Sequence, residues 1–339
     1  MQRAVENSQA RRCARARFLP AVIGFATLAA TMGACVQRPF TIAPVTRATP
    51  GGAVTSHVVV VSVDGLRPDA IARFGAATMQ RLIRDGSATL DARTIALSRT
   101  LPSHTSMLTG VLPDKHGVVW NDDERETRGT ISVPTVFGIA HARGFHTAAF
   151  FSKAKLHYLE AEGTLDHGQA PGGRRPWSAD RTAGDVERYL ATQRPNLLFV
   201  HLGEPDHAGH LSGWMSWWYA RAVRTADAAV RRIVAASDRA YGAGNYTLIL
   251  TADHGGHGRT HGSEALADVT IPWIAYGRGV RAGTTLPAGI RTVDTAATVV
   301  WLLGVAPPAD WTGQPVRVAF TAAARAAADS AMTRATPSR

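Results

Sequence analysis

Four short segments of this 339-residue chain concentrate side chains able to do nucleophilic, acid–base or metal chemistry. They are Asp64 in VDGLRPD, Thr100 in SRTLPSHTSMLTG, Asp206 with His210 in EPDHAGH, and Asp253, His254 and His261 in TADHGGHGRTHG. Hard carboxylates mixed with imidazoles suit zinc. The only cysteines, Cys13 and Cys35, lie near the N-terminus, so any metal further along must be held by His, Asp and Glu, in an open catalytic site rather than a closed structural one. Taken singly each segment is weak evidence. An Asp at a strand end often caps the next helix, and Thr100 alone reads as a helix N-cap.

The elements around these residues give them a common place. HVVVVSV (57–63) is a β-branched run without alternation, as expected of a strand buried on both faces of a parallel sheet, and Asp64 follows it. NLLFVHL (196–202) runs into Glu204, Pro205 and Asp206, and YTLIL (246–250) runs into Asp253 and His254. Helical patterns over 76–85, 180–193 and 216–236 separate the apolar runs, which predicts an α/β/α sandwich with a mostly parallel central sheet. Ligands of such sheets lie beyond the carboxyl ends of the strands, where the acids fall. Residues 122–179 are less regular and read as loops rimming the site.

The ordered set DG, T-x-P, PDxxGH, DHG and HG resembles the alkaline phosphatase superfamily, and within it the nucleotide pyrophosphatase/phosphodiesterase branch. The resemblance covers about residues 57–315, including TVDTAATVVWLLGVAPPADWTGQPV, which is similar to the late helix and closing strand of that family. Carried over position by position, it implies an alkaline phosphatase-like fold and two Zn2+ per chain: Asp64, Thr100, Asp253 and His254 on one ion, Asp206, His210 and His261 on the other. His257 is a second candidate for the last position; His261 is favoured because THG before the strand IPWIAYG is similar to shorter superfamily members. The resemblance further implies that Thr100 is the nucleophile and that Asn121 hydrogen-bonds a phosphoryl oxygen. His104, His116 and His207 lie inside the motifs without being expected as metal ligands.

The implied activity is hydrolysis of a small-molecule phosphodiester or nucleotide pyrophosphate through a phosphothreonine. Hydrolysis of a phosphomonoester or phosphonate on the same two-zinc site is the alternative within the superfamily, and a non-catalytic zinc-binding envelope lipoprotein is the alternative outside it. A sulfatase is disfavoured, because residues 100–104 read TLPSH and lack both the Cys or Ser to be modified and the arginine that follow the sulfatase pattern.

The formal charge of +11 raises the question of a nucleic-acid partner, but the arginines are scattered and only three lysines occur, Lys115, Lys153 and Lys155. No nucleic-acid partner is expected. Residues 18–34 form an uncharged apolar stretch behind Arg-rich residues and ahead of Cys35, the layout of an export signal. MGAC resembles a lipoprotein cleavage box. The expected organisation is a signal peptide over 1–35, a flexible linker over 36–56, a catalytic domain over 57–320 and an Ala/Arg-rich tail over 321–339. The expected location is outside the cytoplasm, either in the periplasm or as a membrane-anchored lipoprotein tethered through a lipid on Cys35.

Overall fold

The stretches Val58–Val63, Leu197–Leu202 and Thr247–Thr251 are buried at every position, which is why their sequences do not alternate: both faces of each strand meet apolar neighbours. They are three of eight strands in the computed structural model, which describes residues 53–335. The expected signal peptide, Cys35 and nearly all of the expected linker lie outside the described residues. The strands are β1 (Val58–Val63), β2 (Ser87–Arg93), β3 (Thr147–Phe150), β4 (His167–Gln169), β5 (Leu197–Leu202), β6 (Thr247–Thr251), β7 (Thr270–Gly277) and β8 (Thr284–Thr285). They form one sheet in the order β4-β3-β5-β1-β6-β7-β2-β8. Only β7 runs against its neighbours, so the sheet is mixed but largely parallel.

Two sets of helices cover the sheet. Ala77–Asp85, Ala179–Thr192 and Trp217–Tyr241 pack in one set; Thr100–Thr109, Val136–Ala142 and Asp294–Leu302 pack in the other. The helix Trp217–Tyr241 starts where the Ser216 side chain accepts a hydrogen bond from Tyr219 N, and Ala179–Thr192 starts in the same way with Ser178 accepting from Arg181 N. The architecture is the α/β sandwich that the sequence predicts. Residues 122–179 hold more regular structure than expected, because β3 and β4 pair there in parallel at one side of the sheet. They are only four and three residues long, too short for period-2 patterning to show. The C-terminal segment forms a helix, Ala322–Ala335, with Ala324 and Ala328 buried against the core.

Register places the functional edge. Val63 pairs with Leu202 and Ser62 with Thr251, so β5, β1 and β6 end side by side. Two residues after β1, Gly65 takes φ +70°, and a Cβ there would lie 2.9 Å from the Asp206 Cα. Gly65→Ala combines a left-handed backbone with a steric clash, and should cost at least about 1–3 kcal/mol. Chemical denaturation measures this; an unfolding midpoint equal to that of the parent would contradict the assigned backbone.

Candidate active site

The three strand ends deliver three carboxylates to one point. Asp64 follows β1 directly, Asp253 lies two residues past β6, and Asp206 sits in the first turn of the helix Glu204–Ser212 that starts after β5, with Pro205 where its missing N–H costs nothing. The Asp206 backbone N–H donates to Asp64 O at 3.0 Å, and Gly65 N–H donates to Asp253 Oδ1 at 3.2 Å. Trp214 Nε1 and the Tyr219 hydroxyl both donate to Gly65 O, at 3.0 and 2.8 Å. Bonds through this one dipeptide therefore fix all three acids relative to one another, and all three side chains are buried.

Three imidazoles converge on the same point with their orientation set from behind. His254 Nδ1 donates to Gly255 O at 2.8 Å, His261 Nδ1 to Ser98 O at 2.8 Å and His210 Nδ1 to Arg259 O at 3.1 Å. A carbonyl can only accept, so Nδ1 carries a proton in each ring, and Nε2 of a neutral ring presents a lone pair. His254 Nε2 then faces Asp253 Oδ2 at 3.2 Å, Asp64 Oδ1 at 3.3 Å and Thr100 Oγ1 at 3.5 Å. His210 Nε2 and His261 Nε2 face each other at 3.1 Å and face Asp206 Oδ1 at 3.3 and 3.5 Å. Burial and the neighbouring His261 push His254 down to about 3, so it is neutral at ordinary pH. Lone pairs aimed at carboxylate oxygens repel unless a cation lies between them.

The carboxylates show the same demand. Asp64 Oδ1, Asp206 Oδ1 and Asp253 Oδ2 are buried without a hydrogen-bond partner, a costly state for a polar atom. Asp64 Oδ2, by contrast, accepts from His201 Nε2 at 2.9 Å and from Lys153 Nζ at 2.6 Å, and Asp206 Oδ2 from Lys153 Nζ at 2.5 Å. Burial alone would raise both groups; the Lys153 ammonium together with the neighbouring histidines, His201 and His254 at Asp64 and His210 and His254 at Asp206, outweighs it and holds both below the usual carboxylate range. Burial raises Asp253 well above that range, and the Asp64 charge adds to the effect.

Thr100 begins the helix Thr100–Thr109 and is buried beside His254. Asn121 Oδ1 accepts from Leu101 N at 2.9 Å, which fixes the amide beside Thr100 and leaves its Nδ2 to donate elsewhere. His104 donates from Nδ1 to Thr100 O at 2.8 Å and accepts at Nε2 from Ser62 Oγ at 2.9 Å, so it links the helix to β1. Thus Asp64, Thr100, Asp206, His210, Asp253, His254 and His261 come together, with Asn121 one hydrogen bond away. His257 does not join them: its Nδ1 lies 2.7 Å from Asp268 Oδ1 and its side chain is 48% exposed. His116 bonds Ser106 Oγ and Val118 N instead.

Two members of the site escape the sequence patterns. His201 lies within the apolar run of β5, and only the register opposite Ser62 shows which way it faces. Lys153 follows β3, a strand too short to recognise, although two of only three lysines occurring within three residues is a signal in retrospect.

The residues present fit a metal. Among the described residues, Asp206, His210 and His261 form one group of close donor atoms and Asp64, Asp206 and His254 another, and the Nδ1-to-carbonyl bonds are the supports that metal-binding histidines require. The orphaned oxygens and the Nε2 atoms of His254, His210 and His261 face one another where such ions would fit; burial lowers His254 and His261, whereas Asp206 raises His210.

Comparison with known proteins agrees with this chemistry. The family model described as type I phosphodiesterase / nucleotide pyrophosphatase matches residues 58–266. Human ectonucleotide pyrophosphatase/phosphodiesterase family member 1 is 24% identical over 232 residues, covering 61% of this chain and 24% of its own length. The venom phosphodiesterase of Macrovipera lebetinus is 23% identical over 222 residues, covering 61% and 26%. The chain thus spans about a quarter of the length of these relatives. Murine ectonucleotide pyrophosphatase / phosphodiesterase 5 in complex with AMP superposes with a TM-score of 0.67 at 16% identity, covering 78% of this chain and 100% of that one. A 2-O GAG sulfatase superposes with a TM-score of 0.62 at 15% identity, covering 80% and 74%; these structural likenesses establish the shared fold.

His261→Ala should reduce the metal bound per chain, whereas His257→Ala should leave it at the parent value. Metal analysis of the purified variants by mass spectrometry decides, and the reverse pattern would move the ligand role to His257.

Proposed function

The chain belongs to the type I phosphodiesterase / nucleotide pyrophosphatase family, and we propose that it hydrolyses small phosphodiesters or nucleotide pyrophosphates through a phosphorylated Thr100, with two zinc ions. The observation that supports this most strongly is the placement of Thr100. Its hydroxyl lies at a helix N-terminus, 3.5 Å from His254 Nε2, within a cluster of unpaired carboxylate oxygens. A binding protein would need the acids and imidazoles but has no need of a hydroxyl at that point.

Asp64, Thr100, Asp253 and His254 would hold one ion, and Asp206, His210 and His261 the other. Zinc there would supply the positive charge that ionises the Thr100 hydroxyl and a hydrolytic water and that offsets charge on the phosphoryl oxygens. The chain itself does the positioning. The helix N-terminus at Thr100 favours an anion, and Asn121 Nδ2 is free to donate to a non-bridging oxygen. Thr100 Oγ forms a bond to phosphorus while the bond to the leaving oxygen breaks, its electron pair departing with the leaving group. Water then cleaves the Oγ–phosphorus bond and restores the threonine.

One observation favours the second reading, a monoester or phosphonate substrate. The Lys155 side chain has no hydrogen bond or ion pair among the described residues, and it lies close enough to Asp64 and Asp206 to feel their charges. An unpaired cation beside the site is suited to a substrate with an additional negative charge.

Thr100→Ala should lower turnover of bis(p-nitrophenyl) phosphate by at least about a thousandfold while metal content stays close to that of the parent. Thr100→Ser, which keeps the hydroxyl, should retain measurable turnover. A folded, metal-loaded Thr100→Ala protein working at the parent rate would rule out the covalent route. Running p-nitrophenyl phosphate alongside separates the diester from the monoester reading.

A further inference from the structure

The Lys153 ammonium lies on the two carboxylates that belong to different halves of the candidate metal site, Asp64 and Asp206. It touches only their Oδ2 atoms. Their Oδ1 atoms, with no hydrogen-bond partner, face His254, His210 and His261 instead. The lysine and a metal ion therefore use opposite edges of the same carboxylates. The side chain is nearly closed off from solvent, 12% exposed, so the ion pairs are poorly screened.

We propose that Lys153 is a built-in counter-ion of the metal site: it neutralises Asp64 and Asp206 while no metal is bound, and it lowers the affinity for metal that the ligands alone would give. This rests on the two-metal reading above.

Two effects of the ammonium oppose each other. It holds the carboxylates in place, which helps a metal, and it adds a positive charge within a few ångströms of where a dication sits, which hinders one. The second effect dominates, because both residues stay anchored without the lysine. Asp64 Oδ2 also accepts from His201 Nε2, and Asp206 is held in the first turn of its helix, with its backbone N–H donating to Asp64 O. Removing Lys153 leaves these in place, whereas the repulsion between like charges at short range in a buried site is large. Without Lys153 and without metal, two buried carboxylates would face each other unneutralised, which is strongly unfavourable.

The test is zinc affinity of the full chain, measured by competition with a chromogenic chelator, for the parent, Lys153→Met and Lys153→Gln. The parent should bind zinc, and both variants should bind it at least about tenfold more tightly. Their metal-free melting temperatures should fall, and the rise on adding zinc should exceed that of the parent. Lys155→Met, which removes a nearby charge that makes no ion pair with either carboxylate, should change the affinity less than Lys153→Met does. If the metal-free variants do not fold, they are purified with zinc and the metal is withdrawn by stepwise chelation, which gives the same comparison. Equal or weaker zinc binding by both Lys153 variants, or an equal gain from Lys155→Met, overturns the proposal while leaving the two-metal reading intact. A parent protein that binds no zinc overturns both.

Discussion

Three buried carboxylates at the ends of three adjacent parallel strands are the constraint around which the rest of this molecule is arranged. Asp64, Asp206 and Asp253 are held within hydrogen-bonding reach of one dipeptide, and like charges buried together are unstable unless something compensates them. The surroundings compensate in layers. His201 and Lys153 take the Oδ2 edges, Gly65 N–H takes one oxygen of Asp253, and the remaining oxygens face imidazole nitrogens whose protons point the other way. The oxygens left without a hydrogen bond, Asp64 Oδ1, Asp206 Oδ1 and Asp253 Oδ2, are those that a bound cation would neutralise.

The supports of the site are spread over the whole fold. The histidines are oriented by backbone carbonyls of loops, Thr100 by the start of a helix buried at all ten positions, and Gly65 by Trp214 and Tyr219 at and just before the longest helix. Rigid elements thus fix each reactive group, while the loop Asp253–Gly262 contributes candidate donor atoms to both halves of the cluster. A sheet that brings the ends of β5, β1 and β6 to one edge makes this possible, since residues after parallel strands all leave on the same side.

Much of this was legible in the sequence because the central strands are uniformly apolar and each runs straight into its acid. Asp64, Asp206 and Asp253 could be placed on one edge before any coordinates, and the Asp–His segments are contiguous text. Residues whose importance depends on register could not be read that way. His201 looks like one polar interruption of an apolar run until Ser62 is seen opposite it, and Lys153 follows a four-residue strand that carries no periodic signal. That His261 rather than His257 stands beside Asp206 and His210, with its Nε2 3.5 Å from Asp206 Oδ1 and 3.1 Å from His210 Nε2, depends on how the loop folds, and spacing alone does not show that.

The most direct test of the central claim is a crystal of the protein grown with zinc, with anomalous diffraction collected above and below the zinc edge. Two anomalous peaks are predicted. One lies among Asp64, Thr100, Asp253 and His254, the other among Asp206, His210 and His261, with Lys153 still on the Oδ2 edges. A crystal grown in saturating zinc with no peak at the cluster, or with a single peak at the Oδ2 edge where the Lys153 ammonium sits, would contradict the two-metal account.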